Sequence, residues 1–402
     1  MNIMEQIRIM EKGCQELVGR EGLIEKLEHG ATLRVKFGMD PTAPDLHLGH
    51  AVVLRKLRQM QDLGHTAVIV IGDATAQIGD PSGRSKTRKP MSHQEVLAHA
   101  ATYREQVFRI LDPSRTEIRF NTEWLFPMTL PDVLRLMGTG TVAQMLERED
   151  FSTRFASESP IGLHEFLYPL MQAYDSVALE ADIELGGTDQ RFNILLGRSL
   201  QRHYGQPPQA ALFMPLLEGI DGQEKMSKSL GNQVGIAEPA AVMCEKLMTI
   251  PDALILKYFL LCTDEHPDHV AAWEQRLAGG ENPRDIKREL ARIIICLYHG
   301  GEAAAQAVER FDRVFREGLE PEDMTLVRLD EIRAEPAAGA LHDPLALLVR
   351  AGLAASRGEA RRLIRQGGVR LRGETLASEQ PLALSDGDVI RCGKKGYVRV
   401  KA

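Results

Sequence analysis

Residues 32 to 71 switch between two kinds of hydrophobic spacing, and that switch constrains the fold more than any other feature. "TLRVKFGMD" is β-branched and apolar at its start, which predicts a buried strand. "AVVLRKLRQMQDLGH" places Val52, Leu54, Leu57, Met60 and Leu63 at helical spacing, with Gly64 as the stop. "TAVIVIGDATAQIGD" opens on a continuous apolar run, as suits a parallel strand covered on both faces. Strand, helix and strand in that order predict a βαβ unit in a doubly wound parallel sheet, with ligands at the carboxyl ends of the strands. "DPTAPDLHLGH", residues 40 to 50, is then the loop after the first strand and the start of the first helix.

The rest of the chain divides by composition. Residues 1 to 30 read as helical up to Gly30, and residues 94 to 175 as mostly helical with a turn at "LDPSR". "EADIELGGTDQRFNILLGRSLQRHYG" is a second strand, glycine turn and helix, and "GIDGQEKMSKSLGNQV" is a polar loop without apolar period. Residues 237 to 317 read as helical, broken at "TIPD" and "GGENPR". "RAEPAAGALHDP", 333 to 344, is rich in Ala, Pro and Gly and reads as a linker. Short helices and short strands follow it, and no internal repeat is present.

Charge is unevenly spread. The segment 345–402 holds 12 Lys and Arg against 5 Asp and Glu, so it carries +7 while the remainder carries −14, within a net −7. A basic module on an acidic body suggests a polyanionic partner, with a merely solvated basic face as the alternative. Cys14, Cys244, Cys262, Cys296 and Cys392 are odd in number and scattered, which argues against a disulfide framework or zinc site and for a reducing cytosol. No apolar run approaches the ~20 residues of a membrane span, and the mixed charges of "MNIMEQIRIMEKGCQELVG" do not suit a signal peptide.

Two motifs carry chemistry. His47 and His50, three apart at a helix start, share one face. They suit a metal pair, a polar first turn, or an anion site in which imidazoles and free N–H groups meet phosphate while Gly49 allows close approach. "KMSKS", Lys225 to Ser229, places two ammonium groups and two hydroxyls on a loop able to clamp a triphosphate as charge develops on it. No Walker-type glycine loop is present.

Together these motifs resemble the class I aminoacyl-tRNA synthetases, with an HIGH-type motif on the first half of a Rossmann-type sheet and KMSKS after the second. "KFGMDPTAPDLHLGH", "IGDATAQIGDPSGRS", "YPLMQAYDS", "ELGGTDQRFN" and "KMSKSLGN" narrow the resemblance to the bacterial tyrosyl-tRNA synthetases. The basic tail "SRGEARRLIRQGGVRLRGE" resembles the small S4 RNA-binding domain. The resemblance spans nearly the whole chain. It implies a Rossmann-type α/β catalytic domain over 1–230 with a helical insertion and dimer region at about 120–165. An α-helical anticodon-recognition domain over 231–332, a linker over 333–344 and an α+β RNA-binding domain over 345–402 would follow.

Residue roles follow from the matched motifs. Catalysis falls to Thr42, His47, His50, Lys225 and Lys228, with Asp40, Gly49, Gly187, Asp189, Met226 and Ser229 completing the ATP site. Asp80, Tyr168 and Gln172 match ligands of the substrate ammonium, Asp175 the acceptor for the tyrosine hydroxyl, and Gln190 a group near the substrate carboxylate. Tyr168, Gln172 and Asp175 also share one helical face by spacing alone. Arg361, Arg362, Arg365, Arg370 and Lys394 are candidate tRNA phosphate contacts. One departure stands out: part of the family has a tyrosine two residues before Gly38, where this chain has Lys36, a residue able to pair instead with a nearby acid. The resemblance implies ATP as substrate, Mg²⁺ with the nucleotide, no prosthetic group and no protein-held metal. It further implies tyrosine and tRNA(Tyr) as partners, a cytoplasmic homodimer bridged by one tRNA, and no membrane. The stretch from "LPDVLRLMG" to "VAQML" is the candidate interface. The rivals are a non-synthetase nucleotidyltransferase, which leaves the basic tail unexplained, and an RNA-binding descendant, which would have lost one of the two motifs. Within synthetases the tryptophan enzyme is the competitor, and Asp175 and the tail argue against it.

Overall fold

The computed structural model describes residues 1–39, 46–77, 104–315, 324–329, 341–393 and 396–401. The chain divides into two compact units, Met1–Ala305 and Gln306–Ala402.

In the first unit the elements run α1 (Ile3–Glu11), β1 (Glu16–Val18), α2 (Arg20–Glu28), β2 (Arg34–Met39), α3 (Leu48–Asp62), β3 (Thr66–Ile71) and β4 (Thr116–Phe120). Then come α4 (Thr122–Leu125), α5 (Leu130–Met137), α6 (Val142–Met145), α7 (Glu149–Ala156), α8 (Leu167–Ala178), β5 (Ile183–Gly187), α9 (Arg191–His203) and β6 (Ala210–Met214). A helical stretch follows: α10 (Ala240–Leu247), α11 (Ile255–Cys262), α12 (Pro267–Ala278) and α13 (Pro283–Phe315), the last interrupted at Gly300 (φ 84°) and counted from Gln306 onward with the second unit.

The sheet order is β1-β6-β5-β2-β3-β4, with every neighbouring pair parallel except β1 with β6. The expected βαβ unit is present: β2 and β3 pair from Arg34↔Thr66 to Met39↔Ile71. The chain first winds outward from β2 through β3 to β4, then crosses to β5 and β6 on the other side. The direction therefore reverses between β2 and β5, and a doubly wound sheet opens its binding crevice at the carboxyl ends of those strands. β3 is buried along nearly its whole length, as its unbroken apolar run requires. On α3 the side chains of Leu48, Val52, Leu54, Leu57 and Met60 are buried, each worth about 1.5–3 kcal/mol relative to exposure. Arg55 of the same helix ion-pairs with Asp264, tying the helix to the segment after α11.

Two strands fall where helix was expected. β1 interrupts residues 1 to 30 between Gly13 (φ 67°) and Gly19 (φ 87°), whose left-handed conformations break the helical run. β4, "TEIRF", lies within 94 to 175; it is a half-exposed edge strand too short to show a clear period.

In the second unit, β7 (Thr325–Arg328) joins β9 (Val369–Leu371), β10 (Glu374–Thr375), β12 (Val389–Cys392) and β13 (Gly396–Lys401) in a sheet ordered β10-β9-β12-β13-β7. A small second sheet pairs β8 (Leu341–His342) with β11 (Leu382–Ala383). β7 belongs to the stretch read as part of a helical domain, yet it pairs in parallel with β13, and Val327 is buried while Leu326 is exposed, as on an edge strand. Helices α14 (Pro344–Arg350) and α15 (Arg357–Arg365) pack on this sheet through Leu345, Leu348, Ala360 and Ile364 against Val369 and Ile390.

Candidate active site

The HIGH-type motif begins where the crevice opens. His47 is the N-cap of α3, and its own N–H reaches His50 Nδ1 at 3.4 Å. The two rings stand 3.9 Å apart between centroids, tilted by 31°. His47 is buried, and its Nδ1 has no hydrogen-bond partner among the described residues. Burial, and secondarily His50, lowers the His47 pKa to about 3, so this imidazole is neutral at physiological pH. Enclosure and then the Lys225 ammonium also hold His50 below the ordinary histidine range. Among the described residues no group of three or more His, Cys, Asp or Glu is placed to hold a metal ion.

KMSKS comes to the same place. Leu48 N–H donates to Val234 O (2.9 Å) and Ile236 N–H to Leu46 O (3.1 Å), so the segment after KMSKS runs alongside the start of α3. Gly49 N–H points at Met226 Sδ (3.4 Å), and a Cβ at Gly49 would stand 3.0 Å from the His47 ring and 3.4 Å from Met226 Cβ. Met226 is thus the buried pin of the loop, while Lys225, Lys228 and Ser229 are exposed.

Sequence reasoning missed the residue that shapes this loop. Asn232 is buried, accepts Ser227 N–H (2.8 Å) through Oδ1 and donates to Asp221 Oδ2 (2.8 Å), while its carbonyl takes Ile220 N–H (2.9 Å). Asn232→Ala is expected to destabilise the loop by about 0.5–1.5 kcal/mol for each side-chain hydrogen bond lost, the usual net worth of such a bond. Faster proteolytic cleavage between residues 219 and 234 checks this; an unchanged cleavage rate would remove Asn232 from this role.

On the other side of the crevice, α8 presents Tyr168, Gln172 and Asp175, as their spacing predicted. Asp175 is buried and accepts Trp124 Nε1–H at 2.8 Å. Burial pushes its carboxyl up to about 7; the Lys36 ammonium and bonds from Trp124 and Asn121 draw it down, and Glu184 pushes it up. Gln172 and Gln190 come together through Asn193, whose Nδ2 donates to Gln172 Oε1 (2.9 Å) and Gln190 Oε1 (3.0 Å). Gly187 closes β5, and a Cβ there would meet Asp189 Oδ1 at 2.5 Å. Lys36 pairs with an acid: its Nζ lies 2.9 Å from Glu184 Oε1, deep beneath the crevice floor. Asn193, Trp124, Asn121 and Glu184 were not singled out in the sequence. Glu184 had a signal, as a carboxylate inside the otherwise apolar strand of "ADIELGG".

The second unit, by itself, carries a basic face. Ala360 and Ile364 bury one side of α15, leaving Arg361, Arg362 and Arg365 exposed, and Arg370 is exposed on β9. Glu379 pairs with both Arg361 (2.7 Å) and Arg365 (2.8 Å). Asp40, Thr42, Asp80 and Lys394 lie outside the described residues.

The arrangement is a crevice with an unpartnered imidazole and two lysines on one side and a buried carboxylate with paired amides on the other. Comparison with known proteins shows the family of the chain. The family described as class I tRNA synthetases (W and Y) matches residues 28–316, and the S4 domain matches residues 345–382. The chain is 52% identical to tyrosine–tRNA ligase 2 of Clostridium acetobutylicum, over 99% of each chain. It is 50% identical to tyrosine–tRNA ligase of Oleidesulfovibrio alaskensis, over 100% of this chain and 99% of the relative, and 48% identical to that of Thermotoga maritima, over 98% and 97%. Among solved structures, tyrosyl-tRNA synthetase of Archaeoglobus fulgidus complexed with L-tyrosine superposes with a TM-score of 0.61 at 23% identity. It covers 76% of this chain and 100% of that one, a likeness of fold.

Proposed function

Since the chain belongs to the class I tRNA synthetases of the tryptophan and tyrosine group, we propose that this crevice activates L-tyrosine with ATP and that the chain passes the tyrosyl group to the 3′-terminal ribose of tRNA(Tyr). The observation that carries this reading is the meeting of the two motifs at one end of the sheet, with His50 beside Lys225 and Gly49 beside Met226.

In the first step a carboxylate oxygen of tyrosine attacks the α-phosphorus of ATP. A new O–P bond forms, the bond to the bridging oxygen breaks, and its electrons leave with pyrophosphate. The nucleophile is already an anion, so positioning and charge stabilisation do the work, with no general base. The unpartnered Nδ1 of the neutral His47 fits a hydrogen bond to the nucleotide, and His50 sits next to it. Lys225 and Lys228 meet the charge that develops on pyrophosphate, while Met226 and Ser229 belong to the loop that carries them. Gly49 leaves room for the nucleotide, and Gly187 and Asp189 face its ribose. By family correspondence Asp40 and Thr42 line the same nucleotide, and Mg²⁺ enters with the phosphates as part of the substrate. Asp80, Tyr168 and Gln172 take the tyrosine ammonium, Gln190 stands near its carboxylate, and Asp175 accepts a hydrogen bond from its hydroxyl. In the second step the ribose hydroxyl of tRNA attacks the tyrosyl carbonyl, and AMP leaves.

The tRNA is held in part by the basic face. Arg361, Arg362, Arg365 and Arg370, with Lys394, suit phosphate contacts, which orient RNA without reading much sequence. Replacing Arg361, Arg362 and Arg365 with Ala is expected to raise KM for tRNA. The salt dependence of binding should also become shallower, by about 0.7–0.9 in log–log slope for each phosphate no longer neutralised. Pyrophosphate exchange, which involves no tRNA, is the control for folding; an unaltered salt slope would show that these arginines do not meet the RNA backbone.

A homodimer is supported by the exposed apolar side chains Leu130, Leu134, Met137, Val142, Phe155 and Leu163, a density unusual for a lone soluble surface. Among the described residues no helix is long and apolar enough to cross a membrane, and a cytoplasmic site of action fits the odd number and scatter of the cysteines. ATP–pyrophosphate exchange with each of the twenty amino acids tests the whole reading: tyrosine alone is expected to drive rapid exchange, and exchange driven best by tryptophan, or by none, would overturn it.

A further inference from the structure

Behind Asp175 lies a closed polar cluster that the reaction as described does not use. Lys36 on β2 and Glu184 on β5 are register partners, 1% and 3% exposed, with Nζ 2.9 Å from Oε1. The ammonium has three protons and three acceptors: Glu184 Oε1, Ser176 Oγ (2.8 Å) and Gln172 O (3.2 Å). Ser176 Oγ donates onward to Glu184 Oε2 (2.9 Å), and Gln209 Nε2 donates to the same oxygen. Gln172 and Ser176 belong to α8, the helix that carries Asp175, so the cluster clamps that helix to the sheet on either side of the carboxylate. No proton of Lys36 is left to bind a substrate hydroxyl directly.

We propose that Lys36 and Glu184 are a pair of positioning residues that set the hydroxyl selectivity of Asp175 from behind, acting on it in opposite directions. This rests on the reading of Asp175 as the hydroxyl acceptor. Among the described residues the charged groups that act on Asp175 are these two, one from each central strand. From the segment 121–125 it meets the neutral donors Trp124 and Asn121, and α9 presents the neutral Asn193 and Gln201 along α8. Asp73, beyond β3, is engaged by Thr122 N–H (3.0 Å) and Oγ1–H (2.7 Å). Burial places Asp175 near the point where it is half-ionised at neutral pH, so the balance of one ammonium and one carboxylate decides its charge.

The sign follows for each partner. A tyrosine hydroxyl donates to the ionised carboxylate more strongly than to the neutral acid, whereas phenylalanine makes no such bond. The ratio of kcat/KM for tyrosine over phenylalanine therefore falls as pH drops through the Asp175 midpoint. Taking the ratio cancels every titration common to both substrates. Glu184→Gln removes a negative charge while keeping an oxygen for Lys36, and should lower that midpoint. Adding Lys36→Met to Glu184→Gln removes the ammonium without stranding a buried carboxylate, and should raise it again.

The test is pyrophosphate exchange with each amino acid from pH 5.5 to 9 in the full chain. The wild type, Glu184→Gln and the double variant are compared, and melting temperature is recorded for each. The expected result is a midpoint that falls by about one pH unit in Glu184→Gln and returns by a similar amount in the double variant. A pair that only holds the fold together would change rates and melting temperature but leave the midpoints together, or move both the same way; either result overturns the proposal. A wild-type ratio that does not vary with pH would instead remove Asp175 as the hydroxyl acceptor, and the proposal with it. Loss of folding in the double variant leaves the Glu184→Gln shift decisive, since a midpoint that stays or rises there refutes the assignment.

Discussion

Asp175→Ala is expected to collapse the preference of this chain for tyrosine over phenylalanine. A site built to bond a substrate hydroxyl rejects the analogue lacking it by about 10⁴–10⁵-fold, a magnitude known from tyrosyl enzymes themselves. The reason is that phenylalanine would leave polar groups unpaired in a site closed to water. Here the group in question is buried and already holds two donors, Trp124 Nε1 at 2.8 Å and Asn121, so its remaining lone pairs are the acceptors left for a ligand. With the carboxylate gone, phenylalanine no longer strands a charge, and tyrosine loses a charge-assisted bond. The kcat/KM for tyrosine should fall by orders of magnitude while that for phenylalanine holds or rises. Exchange assays with both amino acids read this directly. Retained selectivity in a folded variant would move hydroxyl recognition elsewhere in the crevice.

The scaffold of this site was legible because its elements bury themselves locally. β2, α3 and β3 each carry a hydrophobic period that needs no knowledge of the rest of the chain, and β5 with α9 repeats the pattern around "ELGGTDQ". Edge strands were not legible: β1, β4 and β7 each pair with a single neighbour, so pairing and not their own short sequence decides their state. β7 also pairs with β13, at the far end of the second unit in sequence, which no local reading can find. The same division runs through the site. Tyr168, Gln172 and Asp175 share a helix, and their common face follows from helical geometry. Asn193, Trp124 and Glu184 reach the site from α9, α4 and β5, and only the folded sheet brings them there. The pairing of Lys36 with an acid was foreseeable as a type, because an ammonium inside a buried strand needs a counter-charge, but the identity of Glu184 depends on register.

The second large effect separates binding from chemistry on the opposite side of the crevice. Lys225→Ala and Lys228→Ala are each expected to slow adenylate formation by about 10²–10³-fold, the usual loss when one preorganised electrostatic group is removed. The ground-state complex should scarcely notice, for two reasons visible in the fold. Both lysines are exposed on a loop fixed from beneath by Met226 and Asn232, so their removal opens no cavity and leaves the loop anchored. Both also belong to a loop whose following segment is hydrogen-bonded to the start of α3, whereas Tyr168, Gln172 and Asp175 are carried by α8. Their field matters most when the Pα–O bond is breaking and pyrophosphate takes up charge, so the loss belongs in the rate constant and not in tyrosine affinity. Single-turnover adenylate formation, with tyrosine binding measured separately, distinguishes the two. A fall in tyrosine affinity as steep as the fall in rate would show that the lysines hold the ground state, and the transition-state role would have to be given up.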